Sequence, residues 1–159
     1  MAALTNYESM QKKIEEMCTD LDIEFTIIKR ELSMEIQSAS DIFNLADICL
    51  SYRLKHKNYE LLSRRLLSFA LEIENGGVNF CDLIEILYNK GISSTDLKLF
   101  SYKYKKEIES MIDHTRDVKI DSFGLHTLKR SYLYEGERPQ YLWMRVSLGV
   151  HGNEIEDVK

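Results

Sequence analysis

The sequence predicts a mainly α-helical protein, a helical bundle-like region with at most a few short strands. Three observations carry this. Apolar residues recur at three- and four-residue spacing along most of the chain. Ser, Asp or Asn stands just before several of these runs, where a side-chain oxygen can accept the free amide protons of a first helical turn. The 159 residues hold one proline and seven glycines, too few turn formers for a sandwich or barrel of this length.

Met10, Ile14, Met17 and Leu21 predict an amphipathic first helix over about Asn6–Thr19, with Lys12, Lys13, Glu15 and Glu16 between them. Phe25, Ile27 and Ile28 fit either a short strand or the start of a helix running through Leu32 and Ile36. Ser38-Ala39-Ser40-Asp41 is a helix start, and Ile42, Leu45, Ile48, Cys49 and Tyr52 make the stripe that follows it. Asn58 is a second candidate cap, ahead of Tyr59, Leu62, Leu66, Phe69, Ala70 and Ile73. Asn75-Gly76-Gly77 ends that run. Asn79 with Asp82 caps a helix through Leu83, Ile86 and Leu87, stopped by Asn89-Lys90-Gly91. Ser94-Thr95-Asp96 opens another through Leu99, Tyr102 and Ile108 to Met111.

Residues 113–121 are polar and irregular, with Val118 and Ile120 as a candidate short strand. Beyond them Phe123, Leu125, Leu128, Tyr132 and Leu133 form a new apolar series that ends at a Glu135-Gly136-Glu137 turn. Pro139 sits where a first helical residue tolerates proline, because that amide proton would be unpaired in any case. Leu142, Trp143, Val146, Leu148 and Val150 continue from it, Gly149 and Gly152 are expected to break the run, and a polar segment from Asn153 follows.

Twenty-one Lys+Arg against 26 Asp+Glu give a net charge of −5. Nucleic-acid-binding domains ordinarily carry a basic excess, because phosphate contacts supply much of their affinity, so the composition argues against that class. The local basic run Lys98–Lys106, with Phe100, Tyr102 and Tyr104 interleaved, reads as a solvated helix face. Cys18, Cys49 and Cys81 are odd in number, widely spaced and set among apolar residues, which predicts three free core thiols. No apolar leader and no membrane-length window occurs, and a cytoplasmic location is expected.

Phosphate-loop, dinucleotide, serine-hydrolase and zinc-peptidase motifs are absent. The carboxylate pairs Glu15/Glu16 and Glu154/Glu156 lie on charge-rich stretches and read as solvated faces. His56, His114, His126 and His151 lack a second ligand at metal spacing. His151, between glycines, is expected to cap or pack. Arg145 interrupts the apolar Trp143–Leu148 run, so it needs a partner, and a structural ion pair is expected.

Phe123 to Gly152 reads FGLHTLKRSYLYEGERPQYLWMRVSLGVHG. This resembles the N-terminal segment of the class I ribonucleotide reductase large subunit, whose block runs FG-x-x-TL-x-x-SYL, a short variable turn, then ERPQ-x-x-x-MRV-x-x-GIHG. The matches are Phe123, Gly124, Thr127, Leu128, Ser131, Tyr132 and Leu133, then Glu137, Arg138, Pro139, Gln140, Met144, Arg145, Val146, Gly149, His151 and Gly152; Val150 replaces the usual Ile. Upstream, His56, Tyr59, Leu62 and Arg65 resemble the family's HPDY-x-x-LA-x-R element, with Lys57 and Asn58 in place of its Pro and Asp.

The resemblance implies a degenerate ATP-cone-like helical region over 1–112 and a truncated start of the large-subunit N-terminal domain over 113–159. The family reduces ribonucleoside diphosphates to deoxyribonucleotides for DNA synthesis. A cysteine thiyl radical and a cysteine pair do this inside an α/β barrel whose motifs lie downstream of the ERPQ block. Cys18, Cys49 and Cys81 match none of those cysteines. The expectation is therefore an N-terminal portion of a large subunit, inactive alone, with no catalytic, cofactor-binding or metal-binding residues. Its partners would be the remainder of that subunit and the radical-generating small subunit, with no nucleic acid and no membrane. ATP or dATP binding is expected of the family, but MAALTNYESMQKK lacks the cone's Val-x-Lys-Arg-Asp-Gly hairpin, whose amides and basic side chains would hold phosphates. That implies a cone without competent ATP binding. The alternative is a non-catalytic helical interaction or regulatory module derived from the same subunit. Without the rest of such a polypeptide, the Leu142–Val150 run is expected to expose an apolar patch.

Overall fold

The computed structural model of the chain describes residues 2–23, 26, 28, 30, 36–151 and 155–158. Among them there is no strand. The helices are α1 (Ala2–Cys18), α2 (Ala39–Ser51), α3 (Asn58–Asn75), α4 (Phe80–Asn89), α5 (Thr95–Lys103) and α6 (Lys105–Met111), then a 3₁₀ helix at His114–Lys119, then α7 (Ser122–Ser131), α8 (Pro139–His151) and the single turn α9 (Ile155–Val158). Thr26, Ile28 and Arg30 are helical. Phe25, Ile27 and Leu32, where strand and helix were both open, lie outside the described residues.

The helix starts follow side-chain chemistry. Ser38 and Asp41 form a capping box: the Asp41 amide donates to Ser38 Oγ at 3.3 Å and the Ser38 amide to Asp41 Oδ2 at 2.8 Å. Asn79 Oδ1 accepts from the Asp82 amide at 3.0 Å, and Ser94 Oγ from the Leu97 amide at 3.1 Å. At α3 the expectation is corrected. Asn58 is already helical, because the Lys57 carbonyl accepts the first helical bond from Leu61, and the Asn58 amide donates to His56 Nδ1 at 3.2 Å. The histidine therefore does the capping, while the Asn58 side chain reaches the Asp22 carbonyl.

Four other expectations change. The segment from Ser94 to Met111 is two helices, since Tyr104 (φ −112, ψ 28) leaves helical geometry between Lys103 and Lys105. Val118 lies in the 3₁₀ helix rather than a strand: the Asp113 carboxylate accepts from the Thr115 amide and hydroxyl, a local bond that starts a tight turn. Gly149 lies inside α8, and Gly152 falls outside the described residues. The final segment is not simply polar, because Ile155 and Val158 pack against a buried cluster.

The chain forms two compact units, residues 1–73 with 118–126 and residues 74–117 with 127–159. In the first, Met10, Ile14 and Cys18 of α1, Ile42, Leu45, Ala46 and Cys49 of α2, and Leu62, Leu66, Leu67 and Ala70 of α3 are buried. Arg65 ties α3 to the end of α1 by forking Asp20 at 2.6 and 2.7 Å while donating to the Met17 carbonyl at 2.6 Å. Ser122 bonds Ser63 and Glu60 of α3. In the second unit Phe80, Cys81, Leu83, Ile84 and Leu87 of α4 meet Ile108 of α6 and Tyr141, Met144 and Leu148 of α8 in one cluster. Ile86 points partly outward, and Ile84 takes the inward position.

Candidate functional site

The second unit concentrates its polar order around the turn that opens α8. The Glu137 amide donates to the Tyr134 carbonyl at 2.9 Å, and Gly136 has φ +76, as the third position of a type II turn requires. The Gly136 carbonyl accepts from Asn75 Nδ2 at 2.9 Å. Pro139 is the first residue of α8, and the Arg138 carbonyl takes the helix's first bonds, from the Tyr141 and Leu142 amides.

Two ion pairs brace this turn. Glu137 has a side chain with 0% exposure, and Arg145 two turns along α8 forks it, Nε to Oε1 at 2.7 Å and Nη2 to Oε2 at 3.1 Å. Glu137 Oε2 also accepts from the Tyr134 amide at 3.0 Å, and the Arg145 guanidinium lies 4.7 Å from the Tyr134 ring centroid. This is the partner that Arg145 needed. Beside it, Arg138 Nη2 meets the buried Asp117 at 3.4 Å, and His114 Nδ1 approaches the same carboxylate oxygen at 3.5 Å. The His114 and Tyr141 rings pack edge to face, and the Tyr141 hydroxyl donates to the Val78 carbonyl. Burial and the nearby Glu109 push the Tyr141 hydroxyl above the usual tyrosine range. Of these residues only Arg145 was expected from the sequence to need a partner; Glu137 and Arg138 stood there as motif matches, and Asp117 and His114 lie in a stretch without periodicity.

Chemically this arrangement is a brace. Both Glu137 oxygens are engaged, so neither is free to take a proton from a substrate. The thiols are equally quiet. Cys18, Cys49 and Cys81 are free and buried. Burial drives Cys18 up to about 11 against the pull of Arg65, and burial also raises Cys81. Among the described residues no cluster of His, Cys, Asp and Glu could hold a metal ion. The basic run is paired with α4: Lys98 Nζ reaches Glu85 at 3.0 Å, Lys105 approaches Asp82 at 4.0 Å, and the Tyr102 hydroxyl donates to Glu85 at 2.5 Å. That hydrogen bond holds Glu85 below its ordinary value and raises Tyr102 to about 12. His151 is exposed in the last turn of α8 rather than buried as a packing group.

With one side of α8 braced, its other side faces outward. Trp143, Val146 and Val150 are 50%, 47% and 73% exposed, which is the patch expected of the Leu142–Val150 run.

No protein-family profile matches the chain. Its similarity to individual proteins is extensive. The ribonucleoside-diphosphate reductase large subunit of Dictyostelium discoideum is 31% identical over 132 residues, 74% of this chain. The large chain of Schizosaccharomyces pombe is 32% identical over 125 residues, 70% of this chain. The large subunit of Danio rerio is 28% identical over 170 aligned residues, 94% of this chain. The chain belongs to the ribonucleoside-diphosphate reductase large-subunit family. It corresponds to an N-terminal portion of that subunit and spans about 15% of the length of the Dictyostelium and Schizosaccharomyces relatives and 21% of the Danio one. The braced turn and helix of this reductase portion are its ERPQ-to-MRV block, and Glu137, Arg138 and Arg145 of that block make the ion pairs that brace α8. Among the described residues no helix is long and apolar enough to cross a membrane.

Proposed function

We propose that the chain acts as the N-terminal structural portion of a ribonucleoside-diphosphate reductase, together with the polypeptide that makes up the rest of the large subunit and with the radical-generating small subunit. Its role is to supply a braced helical surface. The reduction of ribonucleoside diphosphates takes place on groups this region does not carry. The observation behind this reading is the Glu137–Arg145 fork: the motif charges are spent on each other, leaving helix α8 rigid and its outer face apolar. In this reading residues 1–112 are a degenerate ATP-cone-like region, residues 113–159 begin the next domain, and the assembly is cytoplasmic. In this reading the cone is without competent ATP binding, since the stretch MAALTNYESMQKK carries no Val-x-Lys-Arg-Asp-Gly element.

Two measurements test the proposal. Co-expression with the remaining large-subunit polypeptide of the same genome is expected to give a complex that co-purifies, and consistent failure to associate overturns the reading. Titration of ATP or dATP into the chain by calorimetry is expected to give no saturable heat; micromolar binding overturns the assignment of a silent cone.

A further inference from the structure

The first unit includes Val118–His126 from far along the chain, while the residues on either side, up to Asp117 and from Thr127, belong to the second. The chain therefore passes from one unit to the other at 73–74, at 117–118 and at 126–127, and the last two passages bound this segment. Of its residues only Ser122 and Leu125 are buried, Leu125 to 1% exposure, and Lys119, Asp121 and Phe123 are exposed. By contrast α3 buries Leu62, Leu66, Leu67, Phe69, Ala70 and Leu71. Polar contacts fasten the segment at the start of α7 and one turn further on. The Ser122 amide donates to Glu60 Oε1 at 3.3 Å, and Ser122 Oγ stands 3.4 Å from that oxygen and 3.2 Å from Ser63 Oγ. His126 Nε2 lies 2.9 Å from Asp47 Oδ1.

These contacts can be given up without stranding a charge. Glu60 keeps Arg64, which donates from Nε to the same Oε1 at 2.7 Å and pairs with Oε2 through Nη2. The Ser122 bonds at 3.2–3.4 Å are longer than that one and lie at the weak end for hydrogen bonds. Asp47 and His126 both stand partly in water already, with side chains 58% and 37% exposed. Parting Glu137 from Arg145 differs in kind, because it leaves a fully buried carboxylate without its countercharge. Elements with few buried apolar contacts and no stranded charge on leaving are those that open below the cost of global unfolding.

We infer that Val118–His126 is a strap that detaches from the first unit as one element while α1, α2 and α3 stay folded, with Leu125 as its pin and the Ser122–Glu60 contact as its fastening. With the strap detached, the chain passes from the first unit to the second once, at 73–74 inside α3. The fold thus contains a conformational release whose position is set by one leucine and one serine.

Amide hydrogen exchange of the whole chain, resolved by peptide, tests this. A detached segment of this length holds no stable helix of its own, so its amides exchange each time it opens. Residues 122–126 are expected to exchange at least about tenfold faster than residues 62–71 of the same unit. Ser122→Ala is expected to speed strap exchange about fivefold. Leu125→Ala is expected to speed it about a hundredfold, or to the rate of an unstructured chain. Both variants are expected to leave residues 62–71 unchanged. Lys13→Ala, which removes the surface pair with Glu72 in the same unit, is expected to leave strap exchange as in wild type. A strap that exchanges as slowly as residues 62–71, or variants that speed both segments alike, would show that it opens only with the whole unit and overturn the inference. Strap exchange indifferent to both substitutions overturns it as well. If Leu125→Ala does not fold, the wild-type comparison and Ser122→Ala decide.

Discussion

Replacing Arg145 by alanine tests the brace at its most sensitive point. The substitution leaves the Glu137 carboxylate with 0% side-chain exposure and one remaining donor, the Tyr134 amide at 3.0 Å. Removing one partner of a buried pair costs about 3–5 kcal/mol, because the other charge stays desolvated and uncompensated. Arg145 keeps 19% of its side chain exposed and the Tyr134 amide survives, so the lower end applies, about 3 kcal/mol. For a chain of this size that corresponds to a loss of about 6–12 °C in Tm. Glu137→Gln should cost less, about 1–2 kcal/mol, since the amide oxygen can still accept from Tyr134 and the guanidinium can turn to water. Glu137→Leu with Arg145→Leu, which removes both charges, should recover most of the loss. Urea unfolding followed through Trp143 fluorescence reads this directly, because Trp143 stands two residues from Arg145 in the same compact unit. An Arg145→Ala chain within about 0.5 kcal/mol of wild type, or a double variant no more stable than Arg145→Ala, would show that the Glu137–Arg145 pair does not brace the helix.

Four further outcomes follow from the same structure. Gly136→Ala should destabilise by about 1–2 kcal/mol through the φ of +76 alone, since a Cβ there meets nothing closer than the Glu74 carbonyl at 3.8 Å; Gly136→Asn should cost less, and equal losses would contradict this. His56→Ala should cost about 1 kcal/mol and speed amide exchange in the first turn of α3, while Asn58→Ala does so less; the reverse order would restore Asn58 as the cap. The Arg65 hydrogen bond lowers Asp20 to about 2, so this pairing contributes stability above about pH 4 and loses it as pH falls toward 2. Asp20→Asn should therefore melt below wild type at neutral pH, with the gap closing between about pH 4 and 2; a gap constant with pH would count against the pairing. The three buried thiols should resist a disulfide reagent at neutral pH in the folded chain and react together on unfolding, and fast labelling of folded Cys18 would contradict its burial.

Much of the fold could be read from the sequence because its cues are local. Ser38, Asn79 and Ser94 cap through a residue three positions on, and Gly76, Gly91 and Gly136 adopt the positive φ that their positions at run ends suggest. Pro139 opens its helix for the same local reason. The need of Arg145 for a partner was also legible, because an apolar run cannot bury a lone charge. The identity of that partner was not, since Glu137 lies outside α8 and meets it only through the turn at Gly136. Asp117 and His114 escaped because a 3₁₀ helix started by Asp113 has no hydrophobic period to detect. The break at Tyr104 was hidden by continuous helix formers on both sides. The cap at His56 was hidden because a ring nitrogen did the work expected of the Asn58 oxygen. Resemblance carried the family, while geometry showed what the family's residues do here: the ERPQ charges close on Arg145 and Asp117 and position a helix.

The proposed structural role in a ribonucleoside-diphosphate reductase is open to a direct test. The most direct measurement is the reduction of ribonucleoside diphosphate by the remaining large-subunit polypeptide with its small subunit, assayed with and without this chain. No turnover is expected from the chain alone, and turnover is expected to rise on adding it. Turnover indifferent to the chain at saturating concentration, or reduction by the chain without the remaining polypeptide, would contradict it.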